Sequence, residues 1–178
     1  MQLTSQQALP VSQALAWNAL NDVEMLKASI PGCESLTLAA ENEYEVNLTV
    51  AVGPVKAKFK GKLKLSDLQP PASYTIHFEG QGGAAGHGKG NASVRLEPVS
   101  THETMLHYTA NAQVGGKIAQ IGSRLIDMAA QKMAGEFFAS FERELVARHP
   151  AAAVAAPAVP VNTNAWQHFV AWCKRLLG

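Results

Sequence analysis

A glycine-rich segment is the first part of the sequence whose residue types suggest chemistry. Residues 80–90 read GQGGAAGHGKG, and Gly83 to Lys89 satisfies the phosphate-binding pattern G-x-x-x-x-G-K. In that motif a Ser or Thr follows the lysine and a helix begins there, whereas here Gly90 follows and the next residues alternate like a strand. Phosphate binding is therefore disfavoured. We expect a hairpin or bulged strand ends at the rim of a sheet, with a gate beside a cavity as the alternative.

The six histidines and two cysteines show no catalytic or metal-binding motif. The histidines do not form an H-E-x-x-H pair, and the separation of Cys33 from Cys173 gives no metal-ligand spacing. His77 and His107 fall on the polar phases of their strands, where we expect solvent. No cation beside Cys33 in the sequence would lower its pKa, so we predict a buried or pocket-edge thiol rather than a nucleophile. The sequence thus indicates no metal site and no catalytic residue.

A strand with alternating lysines is the clearest local pattern. Lysines occupy every second position from Lys56 to Lys64, and the residues between them are apolar or glycine. Period-two alternation predicts a strand with one buried and one wet face. The lysine face is either a solvated surface, which also protects an edge strand against aggregation, or a docking surface for an anionic membrane or partner.

The C-terminal segment has the pattern of an amphipathic helix. Its apolar stripe consists of Trp166, Phe169, Val170, Cys173, Leu176 and Leu177, with Trp172 at the border and Lys174 and Arg175 on the opposite side. Such a helix would be about 22 Å long, too short to cross a hydrocarbon core of about 30 Å. Two tryptophans and a basic face favour a helix lying in the membrane interface. Packing on its own domain and docking in a partner's groove are the alternatives.

The elements before this segment alternate between short helices, strands and one long helix. The patterns predict a strand over 2–9, helices over 12–20 and 22–29, strands over 43–52, 55–65, 74–79, 91–97 and 104–114, and a helix from Gly116 to about Arg148. That helix would be roughly 45 to 50 Å long. The fold class we predict is α+β: a helix-grip fold, in which a curved antiparallel sheet wraps around a long C-terminal helix, with two short helices after the first strand.

Composition divides the chain into three parts. We predict a domain over 1–149, a linker rich in Ala, Pro and Val over 150–162, and the amphipathic helix over 163–178. Fifteen basic residues against fourteen acidic ones leave no excess charge for a phosphate backbone, so a nucleic-acid partner is not expected. The N-terminus resembles no signal peptide and no apolar run approaches about 20 residues, which predicts a cytoplasmic protein.

Four segments together resemble the CoxG-like family of carbon monoxide dehydrogenase proteins. They are IPGCESL (30–36), VGPVKAKFKGKLKLSDLQPP (52–71), GQGGAAGHGKG (80–90) and AQVGGKIAQIGSRLID (112–127). The resemblance covers roughly residues 2–146 and implies a START/Bet v 1-like (SRPBCC) fold that encloses an apolar cavity. It also implies a non-enzymatic accessory role, in which the protein helps to recruit a molybdenum-containing dehydrogenase to the inner face of the cytoplasmic membrane. The resemblance does not extend to the tail.

These observations lead to a hypothesis about ligand and membrane binding. The cavity would hold an isoprenoid quinone or lipid without a covalent cofactor, and the C-terminal helix, residues 166, 169, 170 and 172–177, would touch the membrane. Candidate ligand-contacting residues lie on the inward faces of the sheet and long helix or near an entrance; they are Leu26, Ile30, Cys33, Phe59, Leu63, Tyr74, Ile76, Phe78, Tyr108, Ile121, Leu125 and Met128.

Two other functions remain open from the sequence. One is a recruitment adaptor whose sheet is filled by its own side chains. The other is an enzyme of the cyclase or hydratase kind, which would need acid and base groups inside the cavity, where the predicted inward positions offer mainly Tyr44, Tyr74 and Tyr108.

Overall fold

The computed structural model describes residues 1–150, in which seven strands form one antiparallel sheet. The strands are β1 (Gln2–Leu9), β2 (Cys33–Ala40), β3 (Glu43–Val52), β4 (Val55–Gln69), β5 (Ser73–Gln81), β6 (His87–Ser100) and β7 (Glu103–Gly115). The helices are α1 (Gln13–Leu20), α2 (Val23–Ser29) and α3 (Ser123–Arg148), with short 3-10 turns at Gly83–Ala85 and Lys117–Ile121. The strand order is β1-β7-β6-β5-β4-β3-β2, so β1 and β2 form the two edges. The α+β helix-grip prediction is confirmed.

The two short helices begin where the capping residues predict. The Ser12 hydroxyl accepts a hydrogen bond from the Leu15 amide, and the Asp22 carboxylate accepts one from the Met25 amide at 2.9 Å. Each contact satisfies an amide that has no partner within its helix. The helices lie at one end of the sheet, where α2 packs against α3.

The long helix is shorter than its sequence pattern predicted. Residues Lys117–Ile121 form a 3-10 turn, and Gly122 then adopts a φ of +96°, which cannot continue a right-handed helix. The helix α3 therefore starts at Ser123 and spans 26 residues, about 39 Å. Its first turn is consequently separated from the end of β7.

The sequence analysis missed one strand and shortened others. The edge strand β2 lacks a clean alternation, and it forms because it pairs with β3, with Leu36 opposite Val46. Its start is held by Gly32, whose carbonyl accepts a hydrogen bond from the Thr49 amide. A Cβ at Gly32 would collide with the Thr49 carbonyl oxygen, so only glycine allows this approach. β6 begins at His87 rather than at residue 91, because the glycine-rich residues after the turn still pair with β7.

Candidate functional site

The register of the sheet places the apolar and glycine residues of five strands on one inner face. Rows of residues lie side by side across the strands, and two of these rows matter for the site. The first row is Tyr44, Leu63, Phe78, Gly90 and Ala112, and the second is Val46, Gly61, Gly80, Gly88 and Val114. The second row therefore crosses three neighbouring strands without a side chain.

The interior at the α1 and α2 end of the sheet is filled by side chains. Phe141 and Leu145 of α3 are fully buried there, together with Leu9, Val11 and Met25. Tyr74 is also part of this core and meets Trp17 edge-on, with ring centroids 5.4 Å apart. We call this filled region the closed half of the grip.

The other end of the interior is only half covered. On the inner face Leu48, Val50, Phe59, Phe78 and Val114 all remain partly accessible. On α3, Leu125 is 42% exposed and Met128 is 57% exposed. We call this region, between the glycine row and the first turns of α3, the open half.

The structure distributes the candidate ligand residues between the two halves. Tyr74 lies in the closed half, and six candidates are partly buried against the same core: Leu26, Ile30, Cys33, Leu63, Ile76 and Tyr108. Phe59, Phe78 and Ile121 are half-buried, and none of them belongs to the core cluster. Together with the exposed Leu125 and Met128 they are the candidates best placed toward open space. Their role in binding stays a prediction.

Two phenylalanines cover glycines on the neighbouring strand or turn. The Phe78 ring lies over its direct partner Gly90, and the Phe59 ring lies over Gly82. A Cβ at either glycine would come within 3 Å of the ring. Cross-strand aromatic–glycine pairs of this kind stabilise a sheet where glycine alone would weaken it. The glycine row was missed in the sequence analysis, although the spacing of Gly80, Gly88 and Gly90 about one hairpin turn contained the signal.

Space remains above two members of the glycine row. A Cβ at Gly80 or Gly88 would meet no heavy atom closer than 3.8 Å. At Gly61, in contrast, it would lie 2.9 Å from a methyl carbon of Val46. The packing of residues 1–150 therefore explains Gly61 and leaves room on the inner face at Gly80 and Gly88.

The edge of the open half is built from turns that touch each other. Gly86 and Gly116 both have positive φ, and their backbones approach so closely that a Cβ at Gly116 would lie 2.6 Å from the Gly86 Cα. This contact joins the β5–β6 turn to the segment before α3. On the opposite side Leu125 reaches the β3–β4 turn, 3.7 Å from a Cβ placed at Gly53. The predicted turn at the sheet rim thus exists, and it is a tight one.

The interior offers titratable groups that stay protonated. Burial raises the pKa of the Cys33 thiol, although Lys27 and a hydrogen bond to the Ser35 carbonyl act in the opposite direction. Burial, followed by the neighbouring Tyr44, raises the pKa of Tyr74 well above its usual value. Neither group supplies an anion at neutral pH, so neither is suited to act as a base or nucleophile there.

The outer face of the sheet carries charges of both signs in register. Lys64 forms an ion pair with Glu43 at 2.8 Å, and Lys62 lies between Glu45 and Glu79 on the two neighbouring strands. Glu43 has a lowered pKa because of its hydrogen bond to Lys64. Acidic partners on both sides of the lysine strand favour the solvated-face interpretation over a basic docking surface.

Two depressions lie along this outer face. One, of about 730 Å³, crosses the sheet and includes Lys62, His77, Glu79 and Lys89 in its lining. The other, of about 640 Å³, includes Thr4, Arg95 and His107. Both are wide open and carry polar side chains of mixed charge. His77 and His107 therefore lie on the outer face, as predicted, and His107 contacts Glu97 at 3.3 Å.

Within residues 1–150 there is no cluster of three or more His, Cys, Asp or Glu side chains that could hold a metal ion. The same residues contain no helix long and apolar enough to cross a membrane. The predicted linker and all the candidate membrane-binding residues, from Trp166 to Leu177, lie outside the described residues.

Known structures with a similar fold include proteins of diverse activity. A conserved protein from Geobacillus kaustophilus is 30% identical, and the match covers 84% of this chain and 97% of that one, with a TM-score of 0.78. A START superfamily protein from Mycobacterium smegmatis is 11% identical over 81% of this chain and 96% of that one, with a TM-score of 0.62.

The Zhui aromatase/cyclase from Streptomyces sp. R1128 is 13% identical over 88% of this chain and 99% of that one, also with a TM-score of 0.62. At this level of identity the likeness shows the fold alone. No curated protein matches this chain.

The family model for CoxG, a carbon monoxide dehydrogenase protein, matches residues 6–146, which include every strand and nearly all of α3. This range agrees with the sequence resemblance and excludes the tail. Membership suggests an accessory role for carbon monoxide dehydrogenase on a START-like fold. The chain belongs to the CoxG family.

Proposed function

We propose that this protein is a non-enzymatic accessory protein of a molybdenum-containing carbon monoxide dehydrogenase or a related hydroxylase. It binds an isoprenoid quinone or a similar lipid in the open half of the grip. Its C-terminal segment attaches it to the cytoplasmic face of the cell membrane, so that the ligand and the enzyme meet there. Family membership supports the accessory role.

The observation that carries the ligand proposal is the unfilled, apolar open half. The side chains that line it are those of Val50, Phe59, Phe78, Val114 and Leu125, and none carries a charge. Burying an apolar ligand there is favourable by roughly 25 cal/mol per Å² of apolar surface removed from water. Apolar cavities with few polar groups are typical sites for lipid-like ligands.

An isoprenoid quinone fits both the lining and the partner. The dehydrogenase of this family name oxidises a small substrate and must pass electrons to a carrier, and quinones are dissolved in the membrane. A protein that shields such a carrier from water could present it to an enzyme that does not span the bilayer. The quinone carbonyls require no charged partner, in keeping with the lining of the open half.

The first test is extraction of the purified full-length chain with organic solvent, followed by mass spectrometry and titration with menaquinone-2. We expect a bound quinone or lipid and saturable binding of the added menaquinone. Absence of both would overturn the ligand proposal. A chain that then still brought the dehydrogenase to vesicles would be an adaptor without cargo.

A matched pair of variants places the ligand within the molecule. Gly80 and Gln81 are neighbours on β5 that face the interior and the outer surface, respectively. Gly80→Leu fills the open half and should weaken menaquinone-2 binding at least tenfold, about 1.4 kcal/mol. Gln81→Leu adds the same side chain on the outer face and should leave binding unchanged. Equal effects of the two substitutions would exclude the open half as the site.

The cyclase-like alternative has less support from the interior chemistry. The raised pKa of Cys33 and of Tyr74 keeps both groups protonated. A cyclase needs a base that accepts a proton from its substrate. Turnover of a polyketide-like substrate that was lost on Tyr108→Phe would support an enzyme and contradict the non-enzymatic proposal.

A further inference from the structure

The rim of the open half combines exposed apolar side chains with cations. We define the rim as residues 53–56, 82–87 and 116–128, the turns and first helical turn that surround the opening. Leu125 and Met128 are two of the large apolar side chains most exposed in residues 1–150. They lie next to each other on one turn of α3, and Leu125 approaches the β3–β4 turn. An exposed apolar cluster at the entrance of a cavity indicates a contact surface.

Charge is distributed unevenly between the rim and the rest of the domain. The rim contains Lys56, Lys117 and Arg124, and its single acidic residue is Asp127. All three cations are exposed, and none of them takes part in the ion pairs found in residues 1–150. The remaining residues up to 150 hold ten cations and thirteen carboxylates, a formal charge of −3, whereas the rim has +2. The molecule is therefore polarised, with its positive end at the opening.

We propose that the rim is itself a membrane-contacting surface, which sets the opening of the grip against anionic lipid headgroups. Apolar side chains that enter the headgroup region and cations that neutralise anionic lipids are the two terms that bind proteins to membrane surfaces. The proposal rests on the proposed function for the identity of the ligand, and it adds a second contact to that of the C-terminal segment.

This contact gives the ligand a route that avoids water. An apolar ligand that leaves the bilayer would pass between Leu125, Met128 and the β5–β6 turn into the open half. The C-terminal segment would hold the protein at the membrane, and the rim would orient it. Two weak contacts joined in one chain bind more tightly than either contact alone.

The test measures binding of the full chain to vesicles of phosphatidylglycerol and phosphatidylcholine in equal parts. Phe169→Glu serves as the background, because it places a charge in the apolar stripe of the C-terminal segment. On this background one double variant combines Leu125→Gln and Met128→Gln, and a second combines Lys117→Gln and Arg124→Gln. These residues are on the surface, so the variants should keep the circular dichroism and thermal midpoint of the parent.

The chain offers matched controls away from the rim. Leu38→Gln removes a large apolar side chain on β2 that is 60% exposed. Lys60→Gln combined with Lys132→Gln removes two exposed cations from the outer face and from the middle of α3. We expect each rim double variant to weaken vesicle binding about thirtyfold and the controls to change it less than threefold. Pure phosphatidylcholine vesicles should remove the difference between the charge variants.

Three outcomes would overturn the inference. Phe169→Glu alone could abolish all vesicle binding, which would confine the contact to the C-terminal segment. The rim variants could bind as well as their controls. They could instead lose self-association without a change in vesicle binding, which would assign the rim to a second copy. None of these outcomes depends on quinone binding, so a failure of the ligand proposal is detected separately by extraction.

Discussion

Single glycines on the inner face differ in why the fold needs them. At Gly90 a Cβ would collide with the Asn111 carbonyl oxygen and press on the Phe78 ring. At Gly88, two residues earlier on the same strand and face, it would meet only ordinary contacts at 3.8 Å. The sequence shows both as glycines of one segment, and only the contacts separate a structural requirement from an unfilled volume.

This difference predicts opposite effects of the same substitution. Gly90→Ala should lower the free energy of unfolding by about 1 to 3 kcal/mol, because the backbone of β7 must shift. Gly88→Ala should leave it unchanged or raise it by up to about 1 kcal/mol, because alanine restricts the unfolded chain. Urea unfolding followed by circular dichroism measures both. An equal loss at both positions would show that the inner face at Gly88 is already filled.

At the scale of elements, the connection from β1 to α1 is anchored on the far end of β7. Thr104 is fully buried, and its hydroxyl donates a hydrogen bond to the Val11 carbonyl at 2.9 Å. This contact joins segments 93 residues apart at the closed half of the grip. It holds the two short helices over the end of the sheet, and so it determines which half of the interior is closed.

Thr104→Val keeps the shape of the side chain but leaves the Val11 carbonyl without its partner. We expect a loss of about 1 to 3 kcal/mol in the free energy of unfolding, the cost of an unsatisfied buried polar group. Thr37→Val on the exposed part of β2 is the control, with a change within about 0.5 kcal/mol. A loss at position 104 no larger than at position 37 would mean that water satisfies the Val11 carbonyl.

At the scale of the whole molecule, the closed and open halves should differ in local stability. Few buried contacts and accessible apolar side chains mark regions that open at low free-energy cost. Phe141 and Leu106 are almost completely buried in the closed half, whereas Leu125 and Met128 at the other end are exposed. The fold thus places its most stable packing away from the proposed ligand.

Hydrogen exchange measured by mass spectrometry tests this division. Amides of 82–90 and 116–126 should exchange faster than those of 104–108 and 137–145. Saturation with menaquinone-2 should slow the first group and leave the second unchanged, since a ligand stabilises the state that binds it by about 2.7 kcal/mol at one hundred times its dissociation constant. Uniform exchange along the chain, or protection confined to the second group, would contradict this division.

The sequence by itself determined the fold class, the family and most elements, because alternation and helical spacing record which side of each element is buried. It also predicted that His77 and His107 would lie on the polar face and that Cys33 would be a pocket-edge thiol. Only the tertiary structure decided the strand β2, the start of α3 at Ser123, and the division of the inward residues between a filled and an open half. These features depend on pairing and packing between distant segments, as between Tyr74 and Trp17, and a local pattern of polar and apolar residues contains no information about such partners.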